Sequence, residues 1–417
     1  MTLPRVVITG MGVVSPNGIG KEAFCLAILA GKSGVKRISR FDPSDLPVHI
    51  AGEIPEFDEL AWVEARERKH VSRVVPLAIA ASSEAIRDAG LDPAAMSMDE
   101  KREIGVILGT GGGAQEFSEE QYRLWHSGNV KQVSLFCIPS GTTGTIPSEI
   151  SMRFGFRGYS HVVTAGCTSS TDAVGYAYQH IQAGVQPMFL VGGVDSTITP
   201  GIIKGYTLLR ALTQSWNHAP ERASRPFSAD RDGFVIGEGS WMFILEDYEH
   251  ARARGARIYA EITGYASTCE AFHRVRMSDS PEEPARAITL ALEEAGIAAE
   301  DVHYVNLHGT STEMNDRVET RALKLALGAH AGRIPMSGLK SQIGHAQGAC
   351  GSASLAATVI AMEHGKIPPT INLDVSDPEC DLDYVPDAGR KTQVEHAICN
   401  CVGFGSKNSA LVIKKIA

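Results

Sequence analysis

Aromatic residues are scarce in this 417-residue chain, at 6%, which leaves few stacking platforms for nucleic-acid bases. Positive charge is in deficit: 39 Lys and Arg stand against 48 Asp and Glu, a formal net charge of −9. General nucleic-acid binding needs a basic footprint, so the composition argues against it. Eight cysteines, scattered along the chain, are too few for a disulfide scaffold. They imply reduced thiols in a cytoplasmic protein. Cys399 and Cys401 form only a Cys-x-Cys pair with no second ligand pair nearby, so no metal site is expected. No apolar run approaches the roughly 18 residues of a membrane-spanning helix. The first residues, Met1 to Ile8, lack a basic stretch followed by an apolar core, and read as a first strand instead of a signal peptide. No low-complexity or Pro/Ser-rich tract separates domains.

What the chain does have is glycine, 42 residues of it, placed between short β-branched runs and longer amphipathic ones. Residues 5–10, 103–108, 188–193, 241–245, 302–307 and 397–402 have the composition of strands bounded by turn residues. Residues 75–89, 170–183, 283–295 and 352–363 have the pattern of helices, and Gly90, Gly184, Gly296 and Gly365 stand where helices end. Strands alternating with helices predict an α/β fold with buried sheets. The length allows two or three domain-sized units, or one large duplicated core. A faint repeat favours duplication: Ala85-Ile-Arg-Asp-Ala-Gly-Leu91 precedes a strand ending at Gly109-Thr110, and Ala291-Leu-Glu-Glu-Ala-Gly-Ile297 precedes one ending at His308-Gly-Thr310. Val191-Gly-Gly193 and Val402-Gly-Phe404 close further strands at a similar offset.

Three glycine motifs invite a phosphate-binding interpretation and do not sustain it. Gly10-Met-Gly12 follows a strand but lacks the third glycine of a dinucleotide fingerprint, so a tight turn is the better expectation. Gly31-Lys32-Ser33 resembles the end of a P-loop, yet Leu26 stands where the leading glycine is needed. Gly109-Thr-Gly-Gly-Gly113 could bind an anion through its amides, but a flexible turn is the stronger expectation.

One constellation survives. Cys167 lies in Val162-Val-Thr-Ala-Gly-Cys-Thr-Ser-Ser170, between an apolar strand and a helix of small residues. At such an elbow a helix N-terminus favours the thiolate. His308 opens His-Gly-Thr-Ser-Thr312 at the tip of one predicted strand, and His345 lies in Lys340-Ser-Gln-Ile-Gly-His345 after another. Singly, each histidine is more often a structural residue. Together, a thiol to hold an acyl group and two imidazoles to polarise a thioester carbonyl suit acyl transfer. Lys340 is either a surface lysine or the charge that tunes those histidines.

These motifs, with Arg5-Val-Val-Ile-Thr-Gly-Met-Gly12, Ala223-Ser-Arg-Pro-Phe227, Arg231-Asp-Gly-Phe-Val-Ile-Gly-Glu-Gly239 and Gly403-Phe-Gly405, resemble the β-ketoacyl-ACP synthases of the thiolase-like superfamily over the whole chain. The resemblance implies a duplicated αβαβα five-layer sandwich, with residues 1–255 carrying the nucleophile and 256–417 carrying both histidines and the lysine. It implies decarboxylative condensation: Cys167 accepts an acyl group, amides of Cys167 and Phe404 form the oxyanion hole, and His308 and His345 polarise malonyl thioester. Thr310 and Thr312, flanked in the same site by Gly403 and Gly405, would meet the phosphopantetheine arm, and Phe404 would gate the two half-reactions. No cofactor is expected on the chain, since 4′-phosphopantetheine arrives on acyl carrier protein. That carrier is acidic, and Arg66, Arg68, Lys69 and Arg73 in one helix-like stretch are candidates to receive it, unless they form an ordinary solvated face.

Thr164-Ala-Gly-Cys-Thr-Ser-Ser-Thr-Asp-Ala-Val-Gly-Tyr176, Asn315-Asp-Arg-Val-Glu-Thr320 and Asp377-Pro-Glu-Cys-Asp-Leu-Asp-Tyr-Val-Pro386 resemble the alpha ketosynthase of type II polyketide synthases. That subunit pairs with a chain-length factor. Fatty-acid elongation by a homodimer, 3-oxoacyl-ACP synthase II, is the alternative; a non-catalytic scaffold or an unrelated cysteine hydrolase fits less well. Two positions depart from the family pattern. Ser354 replaces a glutamate, which leaves Asp316 or Glu319 to pair with Lys340, and Ser406 replaces a glycine after Gly405.

Overall fold

The runs expected as strands all lie in one sheet. In the computed structural model, which describes residues 3–405 and 407–416, that sheet also takes in strands outside those runs; its first half holds β1 (Val6–Ser15), β2 (Ile104–Gly109), β3 (Ser160–Val163), β4 (Met188–Asp195) and β5 (Gly239–Asp247). The second half supplies β6 (Ala260–Cys269), β7 (Tyr304–Asn306), β8 (Met336–Ser337), β9 (His396–Gly403) and β10 (Lys407–Lys415). Their spatial order is β8-β7-β9-β10-β6-β1-β5-β4-β2-β3. Outward from the β1–β6 seam, each half therefore runs first, fifth, fourth, second, third strand. The directions repeat too: β2 is parallel to β3 and β4, β7 is parallel to β8 and β9, and the remaining neighbours are antiparallel. The repeat faint in sequence is thus explicit in topology.

Helices complete five layers. α1 (Val74–Asp88) covers β1 and β5 on one outer face, and α3 (Glu282–Ala295) covers β6 and β10 on the other. Between the halves lie α2 (Ser169–Gln182) and α5 (Cys350–His364), with α4 (Glu313–Leu327) packed beside α3. Every residue of α5 from Cys350 to Met362 is buried, as a helix enclosed on all sides requires. α2 and α5 each touch strands of both halves, so their N-termini converge at the centre of the body. Among the described residues no helix is long and apolar enough to cross a membrane.

Two glycine motifs find structural explanations. Cβ atoms at Gly10 and Gly12 would stand 2.2 and 2.0 Å from the carbonyl oxygens of Ala85 and Ala81, so these glycines let α1 lie directly on β1. The amides after Gly109 do bind an anion, but it belongs to the chain itself. The Asp195 carboxylate accepts from Gly111 at 2.7 Å, Gly112 at 2.9 Å, and Gly348 across the seam at 2.7 Å. Burial pushes this carboxyl up to about 6 against those donors.

Candidate active site

Cys167 sits in a 3₁₀ turn, Gly166–Thr168, between β3 and α2. Gly166 takes φ of 71°, a conformation that turns the strand sharply into the helix and that a side chain resists. His308 follows β7; His345 follows β8 and the short helix Lys340–Ile343. The structure gathers one ligating atom from each of Cys167, His308 and His345 within 4.8 Å of one another. All three line a cavity of about 400 Å³ together with Thr310, Thr312, Gly403 and Phe404, whereas Gly405 stands outside its lining. The backbone N–H of Phe404 donates to the Cys167 thiol. Ser406 lies outside the described residues.

The hydrogen bonds determine what the imidazoles offer. The amide of Gln347 donates to His345 Nδ1 at 3.0 Å, so the neutral ring carries its proton on Nε2. His308 Nδ1 faces the ammonium of Lys340 at 3.3 Å, which selects the same tautomer. Burial first, and Lys340 second, hold both imidazoles well below their ordinary value, hence neutral at pH 7. The cavity therefore holds a thiol and two neutral N–H donors.

The thiol itself departs from expectation. A helix N-terminus was expected to favour the thiolate, but Cys167 is 6% exposed, and burial pushes it up to about 12 against the Phe404 amide and Lys340. Loss of water outweighs the stabilisation from one helix end.

Lys340 is buried, not a surface residue, and donates to the carbonyl oxygen of His308. Neither carboxylate proposed for it from sequence is its partner. Glu319 accepts from the amides of His308 and Gly309 at 2.7 and 2.8 Å and from Asn400 at 2.6 Å. Asp316 accepts from the amides of Phe227 and Thr310, and Arg231 lies 3.2 Å away. Both carboxylates shape the loop from 308 to 312 through its backbone. Arg231, from the Arg-Asp-Gly motif, grips the same loop at the carbonyls of Thr312 and Glu313. Among the described residues Lys340 forms no ion pair; its charge faces His308 most directly and also bears on His345 and Cys167.

The proposed basic patch is not one surface. Arg73 is 3% exposed and clamps Glu238 through two 2.9 Å hydrogen bonds. Arg66 is exposed but paired with Glu64 and Glu67, and Arg68 is paired with Glu59. Of the four, Lys69 alone remains exposed without a carboxylate partner among the described residues. The stretch around them is a short 3₁₀ turn, Arg68–His70, followed by α1; Arg68 and Lys69 line one surface cavity, while Arg73 is turned inward. Cationic side chains with no carboxylate partner among the described residues occur elsewhere: exposed Arg210 and Arg276 line the cavity of Cys167, which sequence spacing did not reveal. The signal available was the Arg274-Val-Arg276 pair in a polar loop.

The Arg73–Glu238 pair carries a stability prediction. Glu238 is fully buried; burial opposes its charge, but Arg73, Arg40 and Ser196 overcome this and hold it at about 2. Arg73→Ala removes the closest positive charge from that carboxylate, leaving Arg40 at 3.5 Å, and costs about 3 kcal/mol. Denaturant titration measures this, and an unchanged midpoint would refute the account. Because the folded value lies below the ordinary 4.5, the contribution is present above pH 4.5 and is lost as pH falls toward 2. It amounts to roughly 3 kcal/mol at about 1.4 kcal/mol per unit.

A buried thiol beside two N–H donors at the meeting point of two matched α/β halves fits a condensing acyltransferase. Comparison with known proteins gives the same result. Residues 4–251 match the beta-ketoacyl synthase N-terminal domain and residues 259–374 the C-terminal domain. The chain is 40% identical to 3-oxoacyl-[acyl-carrier-protein] synthase 2 of Synechocystis sp., covering 99% of this chain and 98% of that one. It is 41% identical to the tetracenomycin polyketide synthase ketoacyl synthase alpha subunit of Streptomyces glaucescens, covering 99% and 97%. Its fold matches, with a TM-score of 0.90, 32% identity and full coverage of both chains, a solved complex of a type II PKS acyl-carrier protein with its ketosynthase bound to the hexaketide. The chain belongs to the beta-ketoacyl synthase family.

Proposed function

We propose that this chain is the catalytic ketosynthase subunit of a type II polyketide synthase. The observation that carries the chemistry is the pair of imidazoles whose Nδ1 atoms are engaged by Gln347 and Lys340, which leaves two Nε2–H donors beside Cys167. In the first half-reaction Cys167 attacks the thioester of an acyl carrier protein. The new thioester forms, the pantetheine thiol leaves, and the thiol proton passes to it. Amides of Cys167 and Phe404 receive the developing oxyanion. In the second, malonyl thioester places its carbonyl oxygen against His308 and His345. Loss of CO₂ leaves an enolate held by those donors. Its carbon attacks the acyl group on Cys167, and the released thiolate takes up a proton. Thr310 and Thr312, hydrogen-bonded to each other at 2.8 Å, face the arm that carries the substrate. Phe404, partly exposed at the cavity edge, gates the exchange of substrates. Arg210 and Arg276 give an acidic carrier the positive charge that the stretch containing Arg73 does not.

The polyketide assignment rests on the Cys167-Thr168 elbow and on the alpha-subunit relative. Thr168 is buried and donates to Asp172 at 2.8 Å, so this position is built into the elbow instead of filled by a small apolar residue. The synthase 2 relative supports the second reading, fatty-acid elongation by a homodimer. Two features support a partner subunit in either case. β3 is an edge strand, and Leu135, Ile138 and Met152 are exposed at 89%, 75% and 68%. Purification alone and with the chain encoded beside it separates the two readings. Condensation by a heterodimer only supports the polyketide reading; a fully active homodimer refutes it in favour of fatty-acid elongation.

A further inference from the structure

Behind the cavity two thiols that condensation does not employ stand beside Nδ1 of His308. Cys350 opens α5 and Cys401 lies in β9; both are 2% exposed. Their sulfurs are 3.8 Å apart, and Cys401 Sγ is 3.5 Å from His308 Nδ1. One ligating atom from each of Cys350, Cys401 and His308 lies within 4.8 Å of the others. Both thiols also point at one oxygen, the carbonyl of Cys167, at 3.3 and 3.2 Å. Two sulfurs, one nitrogen and one oxygen thus lie close together. A tetrahedral zinc-class ion, with metal–sulfur bonds of about 2.3 Å and metal–nitrogen bonds of about 2.0 Å, requires a sulfur–sulfur edge of about 3.8 Å and a sulfur–nitrogen edge of about 3.5 Å.

We propose that Cys350, Cys401 and His308 Nδ1, with the carbonyl oxygen of Cys167 as fourth donor, form a binding site for a soft, tetrahedral d¹⁰ cation of the zinc class. On binding, each thiol gives up its proton and forms a metal–sulfur bond, so one divalent ion replaces two protons. The local charge is unchanged, and the Lys340 ammonium 3.3 Å from Nδ1 adds no net penalty. Lys340 keeps its bond to the His308 carbonyl oxygen when the metal takes Nδ1. The ligands come from three separate elements, none with metal-binding spacing, which is why Cys401 looked unpartnered in sequence.

His308 also belongs to the catalytic set with Cys167 and His345, so the test must separate the two sets. Cd²⁺ is titrated into wild-type, Cys167→Ala, Cys350→Ala and Cys401→Ser proteins, each checked for native circular dichroism. Thiolate-to-cadmium charge-transfer absorption and bound metal after gel filtration are read. Wild type and Cys167→Ala should each bind one ion per chain, because the alanine keeps the carbonyl donor. Cys350→Ala and Cys401→Ser should bind more than about 100-fold more weakly, beyond the loss from removing a mere outer-shell partner. Loss of the band in Cys167→Ala would place the metal in the catalytic set and overturn the proposal. So would an undiminished band in both other variants, or recovery of Cys350 and Cys401 as a disulfide that takes up no metal. Cys401→Ser, being nearly isosteric, keeps the test informative if Cys350→Ala fails to fold.

Discussion

Cys167→Ala should abolish acyl loading, lowering transfer from an acyl-carrier thioester to the protein by on the order of 10⁶, as removal of a catalytic nucleophile does elsewhere. Intact-protein mass after incubation with acyl carrier protein is the measurement; an acyl increment on the variant would refute the assignment. Neighbouring thiols cannot substitute. Cys350 and Cys401 are buried behind the turn and donate to the backbone of Cys167, so neither reaches the cavity. The same variant should still decarboxylate malonyl thioester, because both imidazoles and their partners remain. Loading and decarboxylation thus separate in a single protein.

His308→Ala and His345→Ala should each slow malonyl decarboxylation by about 10²–10³, near 3 kcal/mol, the usual cost of removing one preorganised donor from a developing oxyanion. Loading onto Cys167 should fall far less, since the oxyanion in that step faces backbone amides. Release of CO₂ and the acyl-carrier product report the first quantity, and protein acylation the second. Undiminished decarboxylation in both variants would remove the histidines from the mechanism. The double variant should lose less than the product of the single losses, because the two donors serve one oxygen.

Much of this was legible in the chain. Strands such as Met188–Asp195 and helices such as Val74–Asp88 announce themselves by local composition, since a β-branched run or an amphipathic stretch is a property of neighbours in sequence. The elbow at Cys167 was legible because a strand, a glycine and a helix of small residues are contiguous. The fate of Arg73 was not: a cluster of basic residues looks alike whether solvated or folded onto a distant acid, and Glu238 lies 165 residues away. The Lys340 environment was misjudged for the same reason, because Asp316 and Glu319 are near in space but are committed to the backbone of the loop from 308 to 312.

By itself, then, the sequence determined the α/β architecture and the family, and it singled out the thiol and two imidazoles as candidates, because each is written in local pattern or motif order. Only the tertiary structure decided their chemical states. Burial depends on what every other segment covers, and it raised the Cys167 thiol and kept both histidines neutral. The tautomers depend on donors from Lys340 and Gln347, whose directions no spacing encodes. The approach of Cys350 to Cys401 likewise exists only where α5 meets β9, across 51 residues of chain.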